Sequence, residues 1–275
     1  MDHPIPNDFL TEPVKILVVG AGGTGSQMVT GLARLHHALK AFGHPGGLDV
    51  TLIDDDTVSE TNLLRQSFYP CDIGLHKAPV IINRVNMGFS LNWESRVMRL
   101  TEDTYVNSDI IIGCVDTRAA RKAIKHCGEK HLVTYWLDCG NKLSDGQVIL
   151  GEFEKKSSKK PLYRLPTIAD LYPDLIDPSL DEKDETPSCS MVEALEKQSL
   201  FINSAMTLWA CNLLFELFRY AKITHHGNFI NLKSGRTNPL AIDELVWQRM
   251  GYECQALKQA SSKTKRRNKA AKQAA

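Results

Sequence analysis

The hexapeptide Gly20-Ala21-Gly22-Gly23-Thr24-Gly25 follows the apolar run Ile16–Val19 and precedes a stretch with helical spacing. A chain that turns this tightly between a buried strand and a helix has few folds open to it. In this setting Gly20 permits the turn, Gly22 lets backbone approach a phosphate, and Gly25 allows close packing of helix on strand. Gly23 lies in the same loop. A phosphate would sit at the amino end of the helix, predicted to start near Ser26, where free N–H groups and the helix dipole favour an anion. The motif points to a nucleotide without saying which one. A glycine-rich turn with no ligand is the alternative.

The rest of the chain alternates in the same way. Residues 14–19 read as a continuous buried strand, as in a parallel sheet. Met28, Val29, Leu32, Leu35, Leu39 and Phe42 recur at helical spacing, and residues 43–47 end that helix. Strands are predicted at 50–53, 97–100, 109–115, 132–137 and 147–153, with helices at 77–87 and 118–127. Such alternation builds a parallel sheet with helices on both faces. Residues 154–188 are polar and read as a long connection without regular structure, broken by an apolar patch at 168–172. A helix over 200–221 is apolar on more than one face, which implies burial in the core or against another subunit. Residues 228–232 and 239–242 read as late strands.

Composition narrows the setting. At 275 residues, 43% apolar and 24% charged, the chain suits one large soluble α/β domain. It has no apolar run long enough for a membrane span, and its first residues, with no basic stretch followed by an apolar one, are not expected to form a signal peptide. Seven basic residues and no acid follow position 257, so the tail is expected to be disordered, and nucleic-acid contact is the less favoured reading of it. Seven scattered cysteines suit a reducing cytoplasm, and none forms a C-x-x-C pair, so no structural zinc is expected.

The second informative stretch is residues 54–66, Asp-Asp-Asp-Thr-Val-Ser-Glu-Thr-Asn-Leu-Leu-Arg-Gln. Asp54 ends a strand, where an acid reaches ribose hydroxyls. Asp56 either binds metal or caps the turn. Asn62, Arg65 and Gln66, with Lys77 beyond them, have no task in a dinucleotide site, whereas two fixed cations suit a triphosphate with a departing pyrophosphate. Asp116, at the carboxyl end of the 109–115 strand, is either a Mg²⁺ ligand or a helix N-cap. Cys189 precedes Ser190 and Glu193, a capping-box pattern, and a thiolate is favoured at such a helix start; a bystander thiol is the other reading. Cys114 and Cys139 lie in apolar strands and read as core residues.

Taken together, these motifs resemble the ThiF/MoeB and ubiquitin-activating superfamily. The match runs from G-A-G-G-T-G through D-x-D-x-V-x-x-x-N-L-x-R-Q (residues 54–66) to the lysine of G-L-H-K (74–77). It continues through C-V-D-T-R-A-A-R (114–121) and L-D-C-G-N…G-Q-V (137–148), and covers roughly residues 14–245. The texture of G-L-A-R-L-H-H-A-L, G-H-P-G-G-L and P-S-C-S-M-x-E-A-L resembles the ThiF-type members of bacterial PRTRC cassettes.

The resemblance implies a Rossmann-like, doubly wound α/β fold, with a mainly parallel sheet, late antiparallel strands and a long crossover loop. It implies an ATP- and Mg²⁺-dependent enzyme that adenylates the C-terminal glycine of a small ubiquitin-like or sulfur-carrier partner, with thioester transfer to a cysteine after it. Gly20, Gly22, Gly23, Gly25, Asp54, Asp56, Asn62, Arg65, Gln66 and Lys77 would surround ATP. Asp116 would hold Mg²⁺, Arg65 and Lys77 would act in catalysis, and Cys189 would accept the acyl group. A homodimer is expected. The chain divides into an N-terminal segment (1–13), a nucleotide-binding half (14–153), a crossover loop (154–189), a C-terminal part of the same adenylation domain (190–257) and the basic tail (258–275).

Two departures from the family pattern stand out. Zinc-binding C-x-x-C pairs are missing, and no arginine precedes Arg34 to act across a dimer, a role left vacant or open to Lys15. The competing readings are an NAD(P)-dependent oxidoreductase and a catalytically silent nucleotide- or partner-binding scaffold.

Overall fold

The computed structural model describes residues 1–155, 161–181 and 198–259. Cys189, the Ser190–Glu193 capping pattern and nearly all of the basic tail lie outside the described residues. The chain opens with a two-residue strand, β1 (His3–Pro4), and a helical turn, α1 (Asp8–Thr11). The alternation read from the sequence follows: β2 (Val14–Val19), α2 (Gly23–Ala41), β3 (Leu48–Ile53), α3 (Lys77–Phe89), β4 (Glu94–Arg96), β5 (Ile110–Gly113), α4 (Arg118–Lys130) and β6 (Tyr135–Asn141). Next come β7 (Asp145–Glu152), a short α5 (Ile168–Leu171), α6 (Ile202–Tyr220), β8 (Lys222–Ile223), β9 (His225–Asn231), β10 (Arg236–Ala241) and α7 (Glu244–Arg249).

Eight strands form one sheet in the order β10-β9-β7-β6-β5-β2-β3-β4. The five from β6 to β4 are parallel. Beyond β6, strands β7, β9 and β10 are antiparallel. This is the doubly wound, mainly parallel sheet with late antiparallel strands that the sequence predicts. The burial of β5 and of Ile16–Val19 in β2 explains their apolar runs, since both faces of a central parallel strand are covered, while Lys15 at the amino end of β2 stays exposed. Helices α2, α3 and α6 pack together. Right-handed crossovers place α4 on the opposite face. Strand order reverses between β2 and β5, so their carboxyl ends open a crevice at the switch point.

Three local expectations shift. The edge strand lies at Glu94–Arg96 rather than 97–100, because backbone pairing to Thr51–Ile53 sets it, and Trp93 anchors it by donating its indole N–H to Leu48 O at 3.2 Å. Strand β6 starts later and runs further than 132–137. Leu132 has a positive φ of 58° in the turn after α4, while β5 and β7 together carry the ladder on to Asn141. The connection after β7 is also not wholly irregular. Its described part holds α5 and two 3₁₀ turns, Pro173–Ile176 and Pro178–Leu180. Leu165, Ile168 and Leu171 are buried, and Arg164 forms a two-pronged pair with Asp170, at 3.0 Å on each prong. Among the described residues no helix is long and apolar enough to cross a membrane.

The antiparallel end of the sheet contains a buried titratable group. The Trp247 indole N–H donates to His226 Nε2 at 2.9 Å, which leaves Nδ1 to donate to Leu150 O at 2.8 Å. Burial holds this imidazole far below its ordinary value of 6.5, at about 4. The unfolded chain therefore takes up a proton at His226 as pH falls below 6.5, while the folded chain refuses it until about 4. Across that window folding should lose about 3 kcal/mol from this group. His226→Gln is expected to flatten the acid limb of melting temperature against pH between 6.5 and 4; equal slopes in both proteins would remove the assignment.

Candidate functional site

Backbone contacts too close for side chains build the glycine loop. Gly20 has φ +93°, and a Cβ there would lie 2.5 Å from Cys114 O; one on Gly25 would lie 1.9 Å from Gly20 O. A Cβ on Gly23 would overlap the Asn203 amide at 2.3 Å. Gly22 is different: its backbone is extended and nothing lies within 4 Å of the missing Cβ. Helix α2 begins at Gly23, three residues before the position predicted, so its free first-turn N–H groups start inside the loop itself.

Asp54, at the end of β3, closes the loop from below. Its carboxylate accepts the Ala21 N–H at 2.6 Å and the Asp56 N–H at 2.8 Å. Burial pushes this acid up, and the two amides and Lys77 pull it back. Asp54 therefore holds the turn, which leaves Asp56 free to pair with the Lys77 ammonium at 2.9 Å. Lys77 is only 7% exposed and opens α3, its own N–H donating to Asp56 O at 3.0 Å. An ammonium this buried is fixed in place rather than loose on the surface.

Asp116 lies across the crevice at the end of β5. The helix cap there is Thr117, whose hydroxyl accepts the Ala120 N–H at 3.2 Å, so the Asp116 carboxylate is not needed for capping. Further carboxylate support for this helix start comes from Asp181, which accepts the N–H groups of Arg118 at 2.9 Å and Ala119 at 3.2 Å. Crowding raises the Asp116 carboxyl, while Arg121, Lys77 and Arg65 act to lower it and Asp56 opposes them. Its residue surface nonetheless keeps an open side towards solvent. Arg65, Lys77 and Asp56 thus lie within electrostatic reach of Asp116, two residues past Cys114, whose backbone abuts Gly20 of the loop.

Arg65 donates from Nη1 to Gln198 Oε1 at 2.7 Å, and its buried Nε finds no partner among the described residues. Gln66 Oε1 is likewise buried without one. Asn62 turns its carbonyl oxygen inward, accepting the Ser59 N–H at 2.9 Å and closing its own 3₁₀ turn. That local task was not foreseen. Lys15 sits near the amino end of β2, away from the loop.

The residues missed by sequence reasoning brace the loop. Buried Asn203 on α6 accepts from Thr24 Oγ1 at 3.1 Å and from Asn141 Nδ2 at 3.4 Å. Arg121 and Asp138 form a buried pair at 3.0 Å. The one available signal was an amide or acid standing within an otherwise apolar helix or strand.

A mainly parallel sheet whose order reverses at a glycine loop defines a Rossmann-like α/β protein. Residues 11–251 match the ThiF family, and the chain belongs to that family. The adenylyltransferase and sulfurtransferase UBA4 of Yarrowia lipolytica is 33% identical over 117 residues, 40% of this chain and 26% of that protein. The NEDD8-activating enzyme E1 catalytic subunit of Dictyostelium discoideum is 34% identical over 125 residues, 44% of this chain and 25% of that protein. The matched region spans about a quarter of each curated relative. Crystal structures of E. coli MccB with ATP (TM-score 0.56, 15% identity, 86% of this chain and 65% of that one) and of PaaA (0.55, 16%, 83% and 64%) share the fold.

The glycine contacts give a direct test. Gly25→Ala should lower the melting temperature markedly, because overpacking a closed turn costs about 1–3 kcal/mol or more. Gly22→Ala, in open space, should melt close to the parent protein. Equal melting of the two variants would contradict the close approach of Gly25 to Gly20.

Proposed function

We propose that this ThiF-family chain is an ATP-dependent adenylyltransferase of the ubiquitin-like modifier-activating type. Its substrate is the C-terminal glycine carboxylate of a small ubiquitin-like or sulfur-carrier protein. The observation that carries this reading is the action of Arg65 and Lys77 on the Asp116 carboxylate at the β5 end, whose Cys114 backbone abuts Gly20 of the glycine loop. The curated relatives bear the names of adenylating and modifier-activating enzymes, which supports the same class. A role in a PRTRC system and a cytoplasmic location belong to this proposal.

The chemistry follows from charge. The attacking carboxylate is already ionised at neutral pH, so no general base is required. One of its oxygens bonds to the α-phosphorus of ATP as the bond to the bridging oxygen breaks, and pyrophosphate leaves. Gly22 and the first turn of α2 would receive phosphate oxygens, and Asp54 would meet the ribose. Lys77 and Arg65 would stabilise charge passing to pyrophosphate, with Arg65 exchanging Gln198 for phosphate. Asn62 and Gln66 would complete the pocket wall.

The acids present fit Mg²⁺. Asp116 and Asp56 offer hard oxygen donors, and Mg²⁺ takes one or two protein carboxylates with water and phosphate oxygens. When bound it would neutralise charge on the triphosphate. In the second half-reaction the Cys189 sulfur would attack the acyl carbonyl, forming a C–S bond and releasing AMP, with the thiol proton passing to solvent.

Partner-dependent ATP–pyrophosphate exchange tests the reading, using small proteins that end in glycine. Asp116→Ala should reduce exchange to background, and Lys77→Met or Arg65→Ala should lower it about 10²-fold or more, as for other lost electrostatic groups. Cys189→Ser should keep exchange but lose a reductant-sensitive adduct. Wild-type exchange in the Asp116 and Lys77 variants, with melting unchanged, would remove the proposed site.

Dimerisation is part of the same proposal. A groove of about 550 Å³ runs between α2 and α6, and Leu208 on α6 and Phe201 just before it each stand 66% exposed. Other apolar residues of α6, such as Met206, Leu213 and Leu214, are buried within the subunit, so its apolar surface serves both uses. Leu208→Asp should shift a sedimenting dimer to monomer. A wild-type protein that sediments as a monomer would contradict this role.

A further inference from the structure

The least expected residue in the sheet is Asp138. It lies in the middle of β6, paired with Gly113 of β5 on one side and Ile149 of β7 on the other, and is 0% exposed. Leu137 and Cys139 beside it are core residues. An ionised carboxylate in such a slot is expensive, and packed apolar residues in place of a buried ion pair are often neutral or stabilising. Stability alone therefore gives no reason for an acid here.

Its contacts give one. Asp138 Oδ1 accepts from Arg121 Nε at 3.0 Å, and the same guanidinium reaches on to donate from Nη1 to the backbone carbonyl of Asp116 at 3.3 Å. A glycine clears the path: a Cβ on Gly140 would lie 2.8 Å from Arg121 Nη2. Gln147 is a further side-chain partner that lowers the Asp138 carboxyl, and among the described residues no hydrogen bond of sound geometry reaches Oδ2. Arg121 is thus strung between a strand acid and the main chain of Asp116, while the Asp116 carboxylate is left out of the contact.

We propose that Asp138 is a positioning residue, which fixes Arg121 against the Asp116 carbonyl and so keeps that cation off the Asp116 carboxylate. The carboxylate then stays open to a divalent cation carried by a nucleotide. This rests on the adenylyltransferase reading. Arginine does not lose its proton in proteins, so a guanidinium deprived of Asp138 remains charged and turns to the nearest acid, Asp116. Partners of this indirect kind typically change metal affinity about 10–100-fold.

Isothermal titration of the full chain separates this role from a general loss of fold. ATP is titrated with EDTA present and again with Mg²⁺. In the parent protein Mg²⁺ is expected to tighten ATP binding. Asp138→Asn keeps the shape and removes the charge; it should leave ATP affinity in EDTA within about 2-fold but cut the Mg²⁺ enhancement about 10-fold or more. Adding Arg121→Met to that variant, which leaves no cation to intrude, should recover part of the enhancement. Should Asp138→Asn fail to fold, Arg121→Lys takes its place: one ammonium cannot span Asp138 and the Asp116 carbonyl together, so the same Mg²⁺-specific loss is expected. Full Mg²⁺ enhancement in the folded variant, or equal loss of affinity with and without Mg²⁺, overturns the proposal. A parent protein that binds no ATP at all instead overturns the adenylyltransferase reading beneath it.

Discussion

The tie on which the site depends is the carboxylate of Asp54, held between the amides of Ala21 and Asp56. Each of its oxygens takes one backbone hydrogen, so a partly buried charge is compensated by fixed dipoles. The consequence is geometric. The end of β3 is fastened to the loop after β2, and whatever follows Asp54 must start beside the glycines. Asp56 then faces Lys77, and Lys77 opens α3 with its ammonium already directed into the crevice. Without that tie the two parallel strands would still pair, but their loops would have no common floor.

Distant parts of the chain complete the construction. Helix α6, nearly two hundred residues from the loop, presents Asn203 to Gly23 and Thr24. The absence of a side chain at Gly23 is explained by this amide as much as by any phosphate. Gln198 then joins Arg65 to the start of the same helix. On the other face, the described part of the crossover stretch ends with Asp181 bonded to the first N–H groups of α4, immediately after Asp116 and Thr117. Both walls of the crevice are therefore anchored to segments from the second half of the chain.

This division explains what could be read from the sequence. Gly20, Gly25, Asp54, Lys77 and Asp116 were legible because each sits at a strand end or helix start, where local pattern fixes direction. The parallel core is legible because β5 and all of β2 but Lys15 are apolar or glycine. Asn203, Gln198 and Asp138 were not, because their meaning comes from partners far along the chain and their own neighbours say only helix or strand. Asn62 was read as facing a ligand, yet its carbonyl oxygen is engaged by its own turn, a contact that only the 3₁₀ geometry reveals. The edge strand was misplaced for a related reason: its register is set by β3 and Trp93, not by the apolar residues that follow.

The charges around the crevice also bear on what it can hold. Arg121 is balanced by Asp138, which leaves Asp54, Asp56 and Asp116 facing Lys77 and Arg65. Three acids against two cations give a mouth that is formally negative, and a triphosphate would enter it only by adding further negative charge. Backbone dipoles at Gly22 and α2 offset part of that repulsion, but their partial charges amount to about half an elementary charge at a helix end. A divalent cation held by Asp116 and Asp56 would supply the missing positive charge, and would favour the ionised form of Asp116, which desolvation pushes towards neutrality. Under the proposed adenylyltransferase function, the excess of acids would make nucleotide and metal bind together, each weak without the other.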